Sequence, residues 1–234
     1  MVLLSFRYDT LYHIRHMKSK GQIITEEALS FHPKTILDIG YAQIPNPDLL
    51  RDGAMVYGVD IVSVPTSYTK TFVCDLNTMS LPFKDGEIEM VTMGCTLAHV
   101  ANPLKVLGEI NRVLAHNGTL ILSSPNPNYY WENVLNVFYH HFKNKVSKAK
   151  HIEHFFEFSR YNMRTIGERA GFKVTKEVGT TFYLVKTSLR FNPIAMPGLA
   201  YEIVYVLKKV GAPRSYATFE SEKGIEEVPT DLYT

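Results

Sequence analysis

Three aspartates stand where apolar runs end: Asp38 after TIL, Asp60 after MVYGV and Asp75 after TFVC. Between the first two, Thr35 to Asp60 reads as a strand, an acid, a glycine (Gly40), a loop, a second strand and a second acid. That layout suits an adenosine-type ligand lying across the carboxyl ends of two parallel strands. The loop itself is unusual. Nucleotide-binding turns carry several glycines, whereas Gly40 is followed by Tyr41, Ala42, Gln43, Ile44 and Pro45. Ala42 is a mild change where its φ is negative and a costly one otherwise. Ile44 adds bulk, and Pro45 has no N–H to offer a ligand. No G-x-G-x-x-G follows the first strand, which argues against a nicotinamide-dependent oxidoreductase.

Stepping through the chain, residues 8 to 30 read as helical around Gly21, with Thr25-Glu26-Glu27 as a helix start. Strands are predicted at 35–39, 54–60, 71–74, 88–94 and 119–123, with only a short helix at 47–51. Asn102 to Leu114 is amphipathic, with Pro103 early and Asn117-Gly118 closing it. Ser159 caps a helix over 161–170, closed by Gly171, and further strands fall at 172–178 and 201–207. Strands alternating with helices predict an α/β fold, a doubly wound and mostly parallel seven-stranded Rossmann-like sheet with helices on both faces. Right-handed crossovers bring Asp38, Asp60, Asp75 and Gly94 to one edge. The expected organisation is a single domain over 1–234. It divides into a helical cap (1–30), a cofactor-binding half (31–124), a substrate-binding insert with the last strands (125–210) and a loosely held polar tail (211–234).

Of 234 residues, 45% are hydrophobic and 21% charged, enough to bury a full core. A net charge of +2 gives no case for nucleic-acid binding through phosphates. The basic run at Lys143–Lys150 reads as a solvated face, with contact to an anionic substrate as the alternative. No window is apolar enough for a membrane span. Cys74 and Cys95, the two cysteines, make neither a zinc site nor a disulfide framework on their own. They read as buried free thiols in a reducing compartment, which points to the cytoplasm. No histidine and cysteine spacing proposes a metal.

ILDIG, GVDI, CDLNTMSLPFKDGEIEMVTM and LAHVANPLKVLGEINRVLAHNGTLILSSPN, taken in order, resemble the successive motifs of class I S-adenosylmethionine-dependent methyltransferases. The resemblance covers Thr35 to Phe172, and its most specific part is LPFKDGEIEMV with AHVANPLKVLGEINRVLAHNG. It implies S-adenosyl-L-methionine as cofactor. It further implies that Asp38 and Gly40 pass under the methionine part. Asp60, with Ile61 beside it, would take the ribose hydroxyls, and Asp75, with Leu76, would meet the adenine amino group. Gly94 and Cys95 would face the methionine end, with Tyr41 adding a contact. Plainer roles stand beside these: Asp38 and Asp75 as turn acids, and Cys95 as core.

A hydroxyl acceptor needs a base for its proton. His154 is the first candidate, because HFFEFS resembles the family's recurring pattern after the substrate segment, and His151 is the second. Tyr129, Tyr130 and Trp131 follow the fifth strand, where rings can stack on a sugar face, and His99 follows the fourth. Packing roles are the alternative for each. HFFEFSRYNMRTIGERAGFKV looks like the corresponding element of bacterial members that modify sugars and other small metabolites. The expected activity is therefore O-methylation of a saccharide or sugar-phosphate, with a small-molecule partner; a homodimer stays open. The competing reading, from the glycine-poor loop, is an inactive methyltransferase-like binding or regulatory module.

Overall fold

The computed structural model describes residues 18–129, 155–183, 190–214, 218–221 and 224–227. The chain forms β1 (Thr35–Ile39), β2 (Met55–Asp60), β3 (Lys70–Val73), β4 (Ile88–Gly94), β5 (Leu114–Pro125) and β6 (Phe172–Gly179). The short strands β7 (Phe182–Tyr183) and β8 (Arg190–Phe191) follow, then β9 (Glu202–Lys209), β10 (Thr218–Ser221) and β11 (Gly224–Glu227). Seven of these make one sheet in the order β3-β2-β1-β4-β5-β9-β6. β1 to β5 pair in parallel, and β9 runs antiparallel to both β5 and β6. The mostly parallel sheet expected from the sequence is found, with β9 as the reversed strand. The tail expected to be loose contains the antiparallel pair β10–β11.

Alternate residues along each strand divide between two cores. On one face, α1 (Lys20–Leu29) places Ile23, Ile24 and Ala28 against Ile36, Val56, Met90 and Ile121. On the other, α2 (Pro103–Val113) and α3 (Arg160–Arg169) place Leu107, Ile110, Val113 and Met163 against Leu37, Val59, Val91, Leu120 and Leu122. Each valine, leucine, isoleucine or methionine among them contributes about 1.5–3 kcal/mol by leaving water.

Helix boundaries show two differences from expectation. α1 starts at Lys20, where the Ser19 hydroxyl accepts from the Gln22 amide and the Gln22 side chain accepts from the Ser19 amide. Thr25 lies inside the helix, its hydroxyl donating to the Gly21 carbonyl at 2.9 Å. A reciprocal cap satisfies two end amides, which a mid-helix Thr-Glu-Glu cannot do. The part of the expected helix before residue 18 falls outside the described residues. Second, α2 passes straight into β5 at Leu114, so Asn117, at φ 60°, belongs to the irregular start of a strand. Lys209 takes over the closing role, its Nζ donating to the Asn111 and Leu114 carbonyls at 2.7 Å each.

The most family-specific stretch of the sequence is a structural joint. Arg112, on α2, donates from Nη1 to the Phe83 carbonyl (2.9 Å) and to Asp85 (2.8 Å). Its Nη2 donates to the Leu81 carbonyl (3.1 Å) and Glu109 (2.9 Å), and its Nε donates to Glu109 (3.1 Å). Glu109 also accepts from the Leu81 amide at 3.1 Å. All five guanidinium donors are thus engaged, fixing the LPFKDG loop to the helix.

Candidate functional site

The carboxyl ends of the parallel strands open onto a cleft of about 590 Å³, within the range that holds a cofactor-sized ligand. It is lined by Asp38, Gly40, Tyr41, Asp60, Ile61, Asp75, Leu76, Gly94, Cys95 and His99 together. Each of these is a residue to which the sequence points. The backbone explains the convergence: β1, β2, β3 and β4 point the same way, so each delivers its last residues to one edge.

Asp38 is the deepest acid, 8% exposed at the end of β1. Tyr68 Oη donates to its Oδ2 at 2.6 Å and Thr92 Oγ1 to its Oδ1 at 2.9 Å. Burial pushes its pKa up to about 6, against the pull of those two hydrogen bonds, and the Asp60 charge adds to the rise. Tyr68 in turn accepts from the Asn46 amide at 2.7 Å, and the Asn46 side chain donates to Thr25 Oγ1 at 2.8 Å. A continuous chain of hydrogen bonds therefore runs from α1 through the glycine-poor loop to Asp38.

That loop is compatible with its side chains. Among the described residues, positive φ outside glycine occurs at His32, Cys95 and Asn117, so Ala42 and Ile44 adopt conformations open to any residue. Gly40 is at φ 78°, and a Cβ there would lie 1.9 Å from Thr96 Oγ1. The loop thus needs one glycine and has it. Tyr41 folds inward, 1% exposed, its ring 5.6 Å from that of Tyr68. It sits where Gly58 leaves room, since a Cβ at Gly58 would come within 2.9 Å of the ring.

Asp60 accepts from the Ala42 amide (3.0 Å) and the Val62 amide (3.3 Å), one on each oxygen. It thereby ties the loop after β1 to the end of β2 and retains lone pairs toward the cleft. Asp75 accepts from the Asn77 amide (2.9 Å), Asn77 Nδ2 (3.0 Å) and Thr78 Oγ1 (3.3 Å). It is therefore a turn acid and a cleft residue at once.

A second polar group stands beyond β4. Cys95 is left-handed at φ 59°, and its Sγ donates to Glu202 Oε1 at 2.5 Å. Ser123 Oγ and Lys20 Nζ donate to the same oxygen, at 2.9 and 3.0 Å. Lys20 Nζ also lies 3.4 Å from Cys95 Sγ. Burial, and then the Glu202 charge, push the Cys95 thiol up to about 11. For Lys20, burial pulls the pKa down, but Glu202 and Cys95 outweigh it, so the ammonium stays charged above its usual range.

Lys20, Glu202, Ser123, Tyr68, Asn46 and Thr92 were not among the residues picked from sequence. A readable signal existed only for Lys20, in the Ser19-x-x-Gln22 spacing that starts α1 beside the cleft.

Other expectations fall elsewhere. Tyr129 is 2% exposed and packs edge-on against Phe182 and Tyr201, with ring centroids 6.1 and 5.8 Å away. It is not part of the cleft lining, because the chain turns at Asn126, whose carbonyl accepts from the Tyr129 amide, and carries the ring into an aromatic cluster. Tyr130, Trp131, His151 and His154 lie outside the described residues. The chain is described again from Phe155, and the Phe155 and Phe156 amides donate to the Ala98 carbonyl at 2.8 and 3.2 Å, beside His99. No group of three or more metal-ligating side chains occurs among the described residues. No helix among them is long and apolar enough to cross a membrane.

Comparison with known proteins adds independent findings. A family model described as "Methyltransferase domain" matches residues 13–177. No curated protein sequence matches the chain. Among solved structures, the chain is similar to the Burkholderia thailandensis 1,6-didemethyltoxoflavin-N1-methyltransferase, crystallised with 1,6-didemethyltoxoflavin and S-adenosylhomocysteine. The TM-score is 0.57 at 14% identity, over 90% of this chain and 88% of that one. It is also similar to the N-methyltransferase NodS of Bradyrhizobium japonicum in complex with S-adenosylhomocysteine (TM-score 0.54, 11% identity, 81% and 85% covered). A third is a SAM-dependent methyltransferase of Methanosarcina mazei (TM-score 0.53, 18% identity, 75% and 92% covered). At these identities the structures speak for the fold, and the family model speaks for the family.

Proposed function

We propose a function from one premise: this chain belongs to the class I S-adenosylmethionine-dependent methyltransferase family. It binds S-adenosylmethionine in the cleft and passes the methyl group to a small polar acceptor. One observation carries the reading: Asp60, ending β2, and Asp75, two residues past the adjacent β3, stand on the same cleft that Gly40 and Gly94 line. On this reading Asp60 takes the ribose hydroxyls and Asp75 the adenine amino group, with Ile61 and Leu76 as apolar neighbours. A Cβ built on Gly94 would meet nothing within 4 Å, so that end of the cleft has room for the donor's amino-acid part.

The bound sulfonium supplies an activated methyl carbon. A hydroxyl acceptor would take that methyl as the carbon–sulfur bond broke toward sulfur, and would need a base for its proton, for which His154 and His151 are the candidates. The protein's task is alignment, worth up to about 7–11 kcal/mol in favourable models, and exclusion of water. We infer a hydroxyl of a saccharide or sugar-phosphate as the acceptor. The support is the HFFEFSRYNMRTIGERAGFKV segment, whose Phe155 docks beside His99, with His151 and His154 just before it as candidate bases. A cytoplasmic location and the single-domain organisation with its substrate-binding insert belong to the same reading.

Isothermal titration with S-adenosylmethionine and S-adenosylhomocysteine tests the donor half, with saturable binding of both expected; no binding at millimolar ligand sinks it. A panel of sugars, sugar-phosphates and amines, assayed for methylated product, tests the acceptor half. Turnover restricted to amines would remove the hydroxyl assignment, and turnover of any acceptor removes the inactive-module reading.

A further inference from the structure

We propose, resting on the donor-binding reading above, that Lys20 anchors the carboxylate of the donor's amino-acid end and that Glu202 is the residue positioning it. The charges around the cleft are uneven. Asp38, Asp48, Asp60 and Asp75 line it, and among the described residues Lys20 is the only lysine or arginine in that lining. Acids suit the donor's sulfonium and ammonium groups, but a carboxylate entering among them needs a cation. Lys20 stands at the right end. With the ribose on Asp60 of β2 and the base toward Asp75, two residues past β3, the atoms leading through sulfur run the other way, toward β4. There Lys20 Nζ lies 3.4 Å from Cys95 Sγ, one residue past that strand.

The donor count agrees. An ammonium has three N–H groups, and Lys20 spends two, on Glu202 Oε1 at 3.0 Å and Cys95 Sγ at 3.4 Å. The third is left for a ligand. The pair is also graded in depth: the Lys20 side chain is 35% exposed and the Glu202 side chain 12%. The cation therefore reaches the cleft while its counter-charge sits behind it. Glu202 is held in turn by Ser123 and Cys95 on the same oxygen, so it can fix the lysine without competing for the open side.

Two ligands separate this role from general structural support. S-Adenosylhomocysteine carries the amino-acid end, and 5′-methylthioadenosine keeps the nucleoside and thioether but lacks it. In titrations, Lys20→Met should weaken S-adenosylhomocysteine about 10- to 100-fold, the range of one charge-assisted hydrogen bond, and leave methylthioadenosine unchanged. Lys20→Arg should retain most of the affinity. Glu202→Gln should give a smaller loss confined to S-adenosylhomocysteine. If Lys20→Met does not fold, Lys20→Gln should show the same split. Equal losses for both ligands, or none for S-adenosylhomocysteine, overturn the anchor while leaving the donor reading in place. A wild-type protein that binds neither nucleoside overturns both.

Discussion

Arg112 and Lys20 are both cations held by a glutamate at the edge of the same sheet, and they differ in what is left over. Arg112 has all five donors engaged, with two backbone carbonyls, Asp85 and Glu109. Lys20 has one donor remaining, and it lines the cleft. A closed polar cluster fixes the fold, because any ligand would have to displace a bond already made. A cluster with a spare donor beside an open volume is built to accept something. The contrast also reorders the sequence motifs. The stretch that carries family resemblance most strongly, LPFKDG with LGEINRVL, is the closed one and touches no ligand position.

The comparison breaks most easily at Arg112. Replacing it by alanine strands the Leu81 and Phe83 carbonyls and the Glu109 carboxylate, and should destabilise by about 2–4 kcal/mol. For a chain of this size that is a fall in Tm of roughly 5–15 °C. Nucleoside affinity of the protein that remains folded should be unchanged; a selective loss of affinity would place Arg112 in the site after all.

Asp38 is the intermediate case, a cleft acid whose oxygens are both taken by hydroxyls. Its folded pKa of about 6 lies above the unfolded value of 3.8, so the native state prefers the protonated form. Stability from that preference is fully present below pH 3.8 and is lost as pH rises through 6. Above pH 6 the buried charge costs about 2–3 kcal/mol. Asp38→Asn should therefore raise Tm at pH 8 and bring almost no gain at pH 4, read by thermal melts at both. A gain of equal size at the two pH values would show that burial of the charge is not what matters there.

The smallest effect concerns Cys95. With a thiol pKa near 11, roughly one in a thousand is ionised at pH 8, so alkylation by iodoacetamide should be slow. Glu202→Gln removes a charge that raises this pKa and should speed labelling several-fold, followed by peptide mapping. Unchanged labelling would mean that burial alone protects the thiol.

How much of this could be read from the chain depended on distance along it. Asp38, Asp60 and Asp75 each end an apolar run, so strand, direction and site came from one local pattern. Lys20 and Glu202 are 182 positions apart, and no spacing rule joins them. Tyr68 sits in a loop with the look of plain turn chemistry, and only the packing of Asp38 reveals its hydroxyl as a partner. Tyr129 shows the same limit: its place after β5 was legible, but only the turn at Asn126 shows that the ring packs inward against Phe182 and Tyr201.

The reversed strand has a consequence for the order of events during synthesis. Among the described residues, β6 hydrogen-bonds to no strand of the sheet but β9, and β9 is made later. On the ribosome, residues 172–179 are therefore made before the strand they pair with, residues 202–209. Because β9 runs backward, it is also the strand that brings its first residue, Glu202, to the edge where the others bring their last. The same strand thus both closes the sheet and supplies the glutamate that partners Lys20, and it is made after every other strand of that sheet.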